Sequence, residues 1–324
     1  MTRALMIIIA MLAAFSVSAA NIDMEKEYAR LDDAIARSAQ YIAQRQQKIK
    51  VLERQLKATN DIRQQYQLCY DLYLLYNPYI HSQACAYLNR CISLSEKEGR
   101  RQEANHCRAM LAKYFISSGF YDEARICLQE RDTATLGRRG RTLYDVARYA
   151  LNGELAFYTT LPVMKRHYET LQKKYEKAMM TLVSKDDDIY RETYQNQLIA
   201  HGKTQEALRY NDRWMKQTAP NSHGYALVAL YRYLAYKALG DTTKMMYWVT
   251  QSVINDIQLG VTDQGSIWEL ANQLMLKGDL KRAYRYISFA SACANTFGAR
   301  QRKWQVAPLM ASLAGQYKSA SEQS

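Results

Sequence analysis

The strongest constraint on this chain is a series of glycine-centred turns. They fall at Ser118-Gly119-Phe120-Tyr121, Asn152-Gly153-Glu154-Leu155, His201-Gly202-Lys203, Leu239-Gly240-Asp241 and Lys277-Gly278-Asp279-Leu280. The glycines lie 34, 49, 38 and 38 residues apart, with a helix-length apolar pattern on each side of every turn. A period of that size marks stacked helical hairpins, each of which hides its apolar face only against its neighbours. With 4 Pro and 13 Gly in 324 residues, the chain is too poor in turn formers for an all-β protein. The expected fold is all-α: a right-handed α-solenoid of degenerate hairpins preceded by a long N-terminal helix.

Two of the turns agree in detail. Ala112, Phe115, Tyr121, Ala124 and Leu128 surround Gly119 at the same offsets at which Ala271, Leu274, Leu280, Ala283 and Ile287 surround Gly278. The alanines let paired helices approach, the large residues fill the flanks, and the glycine supplies the positive φ that ends the first helix. The Gly202 turn keeps Leu198 and Ala207 but has Gln195 and Thr204 at the other offsets. The Gly240 turn has Tyr233 and Met245 where alanines would fit. An earlier hairpin turns at Asn77-Pro78, with Leu72 and Leu75 before it and Ala84 and Leu88 after it.

Together these segments resemble the tetratricopeptide-repeat superfamily over about residues 64–300. A narrower similarity rests on Leu31-Asp32-Asp33-Ala34-Ile35, Lys48-Ile49-Lys50-Val51-Leu52, Tyr66-Gln67-Leu68-Cys69-Tyr70-Asp71-Leu72-Tyr73 and Ala86-Tyr87-Leu88. These resemble the periplasmic half of Bacteroides-type, membrane-anchored tetratricopeptide proteins labelled as transcriptional regulators. Such proteins continue into a spanning helix and a cytoplasmic part, whereas this sequence reaches Ser324 through a polar tail, so the resemblance implies compartment and fold.

At the N-terminus, Arg3 precedes an apolar run from Ala4 to Val17, closed by Ser18-Ala19-Ala20. The run is too short to span a bilayer and has the layout of a secretory signal. The chain therefore divides into a signal peptide (1–20), a long amphipathic helix (21–63), the solenoid (64–300) and a C-terminal helix end with a polar tail (301–324). A periplasmic protein with no stable span after cleavage is expected; the alternative is a chain tethered to the inner membrane by an uncleaved signal anchor. In the amphipathic helix Ile35, Ile42, Ile49 and Leu56 form an apolar stripe, while Leu31, Ser38, Arg45 and Leu52 make a half-polar companion. This favours packing along the array over a strong coiled coil, with a homodimer through this helix as the other outcome.

No sequence feature points to catalysis. The chain lacks a nucleophile elbow, a P-loop and a GxGxxG. Asp186-Asp187-Asp188 sits between helices, where Asp caps the next one. The five histidines have no partners at metal-ligand spacing, so neither a metal nor a cofactor is expected. The six cysteines lie on apolar helical faces and read as buried thiols, with disulfides open in an exported chain. The net charge of +13 is spread among acids and glutamines, and Arg138-Arg139-Gly140-Arg141 reads as solvated surface. No nucleic-acid partner is expected.

The 26 tyrosines fill wide helix crossings, or else line a groove. The inward offsets of the first helices nominate Lys113, Glu192, Asn196, Trp268 and Asn272 as concave-face ligand-binding residues. The expected function is a non-catalytic scaffold for a protein or peptide in that groove, the sensory part of a regulatory protein. The alternative is a glycan- or nutrient-binding component of an envelope uptake system. N-terminal sequencing of the protein from its native envelope checks the signal: the mature chain should begin at Asn21, and an intact Met1 would establish the tether.

Overall fold

The computed structural model describes residues 22–129 and 136–322, so the expected signal peptide lies outside the described residues. Fifteen helices and no strand occur among the described residues. The N-terminal segment comprises α1 (Met24–Ala36) and α2 (Ser38–Ala58), separated at Arg37. Six hairpins follow: α3 (Ile62–Tyr76) with α4 (His81–Lys97), α5 (Arg101–Ser117) with α6 (Tyr121–Cys127), and α7 (Gly137–Tyr158) with α8 (Pro162–Leu182). Then come α9 (Asp188–Ala200) with α10 (Thr204–Gln217), α11 (His223–Leu239) with α12 (Thr242–Gln258), and α13 (Gly265–Leu276) with α14 (Leu280–Phe297). The last helix, α15 (Arg300–Glu322), continues through most of what the sequence presents as a polar tail.

Helix ends follow local chemistry. The side chains of Asp61, Asp187, Ser222, Asp241 and Asp279 accept hydrogen bonds from the first turns of α3, α9, α11, α12 and α14. Asp187 thus caps, as its position between helices implies. Gly119, Gly202, Gly240 and Gly278 all have positive φ at their turns. Gly153 does not mark a turn; it lies inside α7, and the hairpin turns instead ahead of Pro162. A Cβ on Gly153 would come within 2.5 Å of Gln172 Nε2, so this glycine leaves room for the end of that side chain between α7 and α8.

The paired alanines Ala112, Ala124, Ala271 and Ala283 are buried, as the offsets predict. The Gly202 hairpin accommodates its exception differently. Fully buried Gln195 donates to Tyr231 O at 2.9 Å and accepts from Asn211 Nδ2 at 3.1 Å, and Asn211 also donates to Val228 O. A polar side chain is tolerated where alanine would sit because each of these buried groups finds a partner.

The array does not run open from end to end. Thr262 N donates to Pro78 O at 2.8 Å, and Arg300 N donates to Ser118 O at 3.0 Å. Turns of the first two hairpins thereby meet segments beside the last one. Further along α15, Gln301 Nε2 donates to Glu154 Oε2 at 3.0 Å, and Trp304 packs against Tyr158 with rings 5.8 Å apart. The N-terminal segment straps the junction. α1 packs on α12, and Ile49 and Leu56 of α2 are buried in the core of the first hairpins. Arg45 donates to Leu259 O at 3.0 Å (Nε) and 2.7 Å (Nη2) and to Leu75 O at 2.7 Å, tying both ends together. The apolar stripe of the N-terminal segment is thus covered within its own chain.

Close contact at the junction has a measurable cost. Gly119 has φ +81, and a Cβ there would lie 3.0 Å from Gln301 N and 3.2 Å from the Trp304 ring, whereas a Cβ on Gly202 (φ +72) meets open space. Gly202→Ala should cost about 1 kcal/mol from backbone strain alone. Gly119→Ala should cost about 2–4 kcal/mol, because overpacking adds to the strain. Thermal melts of the two variants side by side measure the difference; equal losses would mean that the junction is loose.

Candidate ligand-binding cavity

Closure of the array encloses a half-open cavity of about 700 Å³ on its inner side. Its walls come from the first helices of successive hairpins: Tyr70 and Tyr73 of α3, His106, Met110, Lys113, Tyr114 and Ser117 of α5, Arg138, Arg139, Thr142 and Leu143 of α7, Ile189 of α9 and His223 of α11. Asn77, Pro78, the 182–184 segment, Asp187 and Asp263 complete the rim. A second hollow of about 460 Å³ shares Tyr70, His106, Arg138 and Arg139 with the first.

The aromatic wall is fixed by its own packing. Tyr73 stands edge-on to Tyr114 at 6.1 Å and tilted against Tyr70 at 6.0 Å. Tyr114 donates to Asn77 O at 2.9 Å. Behind it His81 stacks between Tyr114 and Phe120 at 4.8 and 4.7 Å, and burial pulls its pKa down to about 4, so this imidazole is a neutral plate.

The charges around the cavity are unevenly used. Asp187 Oδ1 accepts from Ile189 N at 2.9 Å as the cap of α9. Asp263 is held by Arg302. His223 Nδ1 lies 2.9 Å from Oδ1 of buried Asp256. The cations have no such partners: the side chains of Lys113, Arg138 and Arg139 make no hydrogen bond, ion pair or ring contact among the described residues. Their fields are felt by their neighbours. Burial first and Arg139 second hold His106 below its ordinary value, and its Nδ1 is buried without a partner. Arg138, Arg139 and Arg141 also crowd the first turn of α7, which has no acidic residue and no side-chain cap. Cations are unfavourable at that end of a helix.

Of the nominated residues, Lys113 lines the cavity, whereas Glu192 and Asn196 do not. Burial raises the Glu192 carboxyl, Lys113 opposes that shift, and Tyr231 OH donates to Glu192 Oε2 at 3.1 Å. Asn196 acts on the same tyrosine, opposing the rise that burial imposes on its hydroxyl. Trp268 and Asn272 belong to α13 and are not among the cavity-lining residues; Trp268 packs on the C-terminal core, its Nε1 buried and unpartnered. Sequence reasoning read the cluster of Arg138 and Arg139 as solvated surface, and both are exposed; what it did not place is their position on the cavity wall. The available signal was three arginines opening a helix with no acid beside them.

The all-helical architecture of hairpins agrees with a match found by comparison with known families. Residues 35–308 match the family model described as the SusR N-terminal TPR domain. The chain belongs to this family. The SusR N-terminal TPR domain match covers α2 through α14 and reaches into α15, so every wall of the cavity falls inside it. No curated protein matches the chain. Among the described residues no helix is long and apolar enough to cross a membrane.

The His223–Asp256 pair carries a pH signature. The hydrogen bond to Asp256 raises His223 above its ordinary value of 6.5. A raised histidine contributes stability that is complete below about pH 6.5 and is lost as pH rises through the folded-state value. Burial also raises the Asp256 carboxyl, so the melting-temperature advantage of the native chain over Asp256→Asn should peak in mildly acidic buffer, shrinking at higher pH as His223 loses its proton and at lower pH as Asp256 gains one. A pH series of melts measures this, and a gap that keeps widening as pH rises past neutrality contradicts the pairing.

Proposed function

We propose that this chain is a non-catalytic, exported interaction module, the sensory part of a regulatory protein, and that its ligand enters the cavity walled by the first helices of its hairpins. One observation carries the reading: closure of the array turns a concave face into a bounded space of about 700 Å³. Small-ligand sites typically occupy about 300–1,000 Å³ and combine apolar walls with a few polar groups. Met110, Leu143 and Ile189 provide the first, and Lys113, His106 and the arginines the second. Such a space suits a small molecule or a short peptide end better than a long helix.

The sensory role follows from where the walls originate. A ligand touching α3, α5, α7, α9 and α11 spans five hairpins, and any change in their mutual curvature alters how tightly it is held. By linkage, the ligand then biases that curvature, which is what a sensor must do. The apolar segment from Ala4 to Val17 supports export. The tyrosine wall at Tyr70, Tyr73 and Tyr114 favours, as a second reading, a glycan or nutrient ligand, since sugar rings pack on aromatic faces.

Native mass spectrometry of the full chain with the low-mass fraction of an envelope extract tests the proposal. Ser117 is exposed on the cavity wall, so Ser117→Trp plugs the space without disturbing the core. A bound small molecule that the plug removes is the expected result. No adduct, or one that ignores the plug, refutes it.

A further inference from the structure

We infer that the cavity is built for a small organic anion carrying carboxylate or phosphate groups, gripped by Arg138 and Arg139 from α7 and by Lys113 from α5. This rests on the proposal that the cavity holds a ligand at all, and adds the chemistry of that ligand.

The argument is one of charge pairing. Some arginines find partners, Arg45 in carbonyls and Arg191, Arg232, Arg282 and Arg302 in carboxylates. Others, such as Arg90, Arg101, Arg166 and Arg209 on the open surface, have none among the described residues; Arg138 and Arg139 differ from these in lining a cavity. At the cavity the acids are already engaged, Asp187 by the helix it caps and Asp263 by Arg302. The three cations on the walls have no partner among the described residues. Lys113 is near enough to Glu192 to act on its ionisation, yet the two form no ion pair. Two adjacent guanidiniums and an ammonium, all three exposed, thus line a space whose two carboxylates are hydrogen-bonded elsewhere. Gathering like charges around a cavity is unfavourable unless something anionic comes between them. Guanidinium forks match planar carboxylate and tetrahedral phosphate oxygens with paired hydrogen bonds, and an ammonium on another helix takes a second acidic group as a point charge.

Size limits the ligand. About 700 Å³ bounded by Tyr70, Met110, Leu143 and Ile189 accommodates a compact body with an apolar face, not a polymer. His106 is held towards its neutral form beside Arg139, so it supplies a neutral hydrogen-bonding ring rather than a fourth charge. A protein of net charge +13 attracts anions everywhere, so site occupancy has to be separated from general attraction.

Isothermal titration at low salt, with citrate for carboxylate, pyrophosphate for phosphate and the neutral trisaccharide raffinose, makes that separation. Binding of citrate or pyrophosphate at one site, weakened about tenfold or more by Arg138→Gln with Arg139→Gln, is the expected result. Lys48→Gln with Lys50→Gln, on the exposed side of α2, should leave it unchanged. Citrate alone identifies a carboxylate ligand, and pyrophosphate alone a phosphate; either supports the inference. Three outcomes overturn it. One is anion binding that survives loss of both arginines, which marks surface attraction. The second is no response to either anion. The third is binding of raffinose, blocked by Ser117→Trp, with neither anion bound, which leaves the cavity a ligand site and removes its charge preference.

Discussion

The carbonyls of Pro78 and Ser118, at the turns of the first two hairpins, accept amide hydrogens from Thr262 and Arg300, which flank the last hairpin. Everything on the inner face depends on this junction. A stack of helical hairpins touches only its neighbours and has no intrinsic reason to enclose a volume. Backbone bonds between its ends, with Arg45 clamped to Leu75 and Leu259, supply the long-range constraint. Each of these groups is costly to leave unpaired once water is excluded, so the junction closes with well-aligned partners or not at all.

Closure also governs the electrostatics of the cavity. Arg302, at the base of α15, reaches Asp263 only because α15 lies against the rim. His223 finds Asp256 where α11 and α12 cross beside the same loop. Of the two acids that line the cavity, Asp263 pairs with Arg302 and Asp187 caps α9, while Lys113, Arg138 and Arg139 have no such partner among the described residues.

Most of the fold was legible in the sequence because its signals are local. Gly119 and Gly278 announce their turns through offsets that depend on one hairpin each, and the resemblance to tetratricopeptide repeats follows from the same residues. Gly153 misled because a glycine that ends a helix and a glycine that leaves room for a neighbouring side chain look alike until Gln172 is placed beside it. The cavity was only half legible. Lys113 follows from its inward offset on a well-formed hairpin, but Arg138 and Arg139 open a helix that Gly153 had caused to be divided in the wrong place. Trp268 was nominated by an offset that counts the first helix of the last hairpin as part of an open groove. Which first helices face the cavity is decided by closure, and closure joins residues far apart in sequence, through backbone amides and through single side chains such as Arg45, that no local pattern encodes.

Residue-resolved hydrogen exchange tests the central claim most directly, because Thr262 and Arg300 are loop and helix-start residues whose amides have no partner within their own hairpin. If the array is closed, both amides are protected to a degree comparable with the helices around them, through Pro78 O and Ser118 O. If they exchange as freely as exposed loop amides while α12 and α14 remain protected, the array is open, and neither the cavity nor its charge pattern exists in solution.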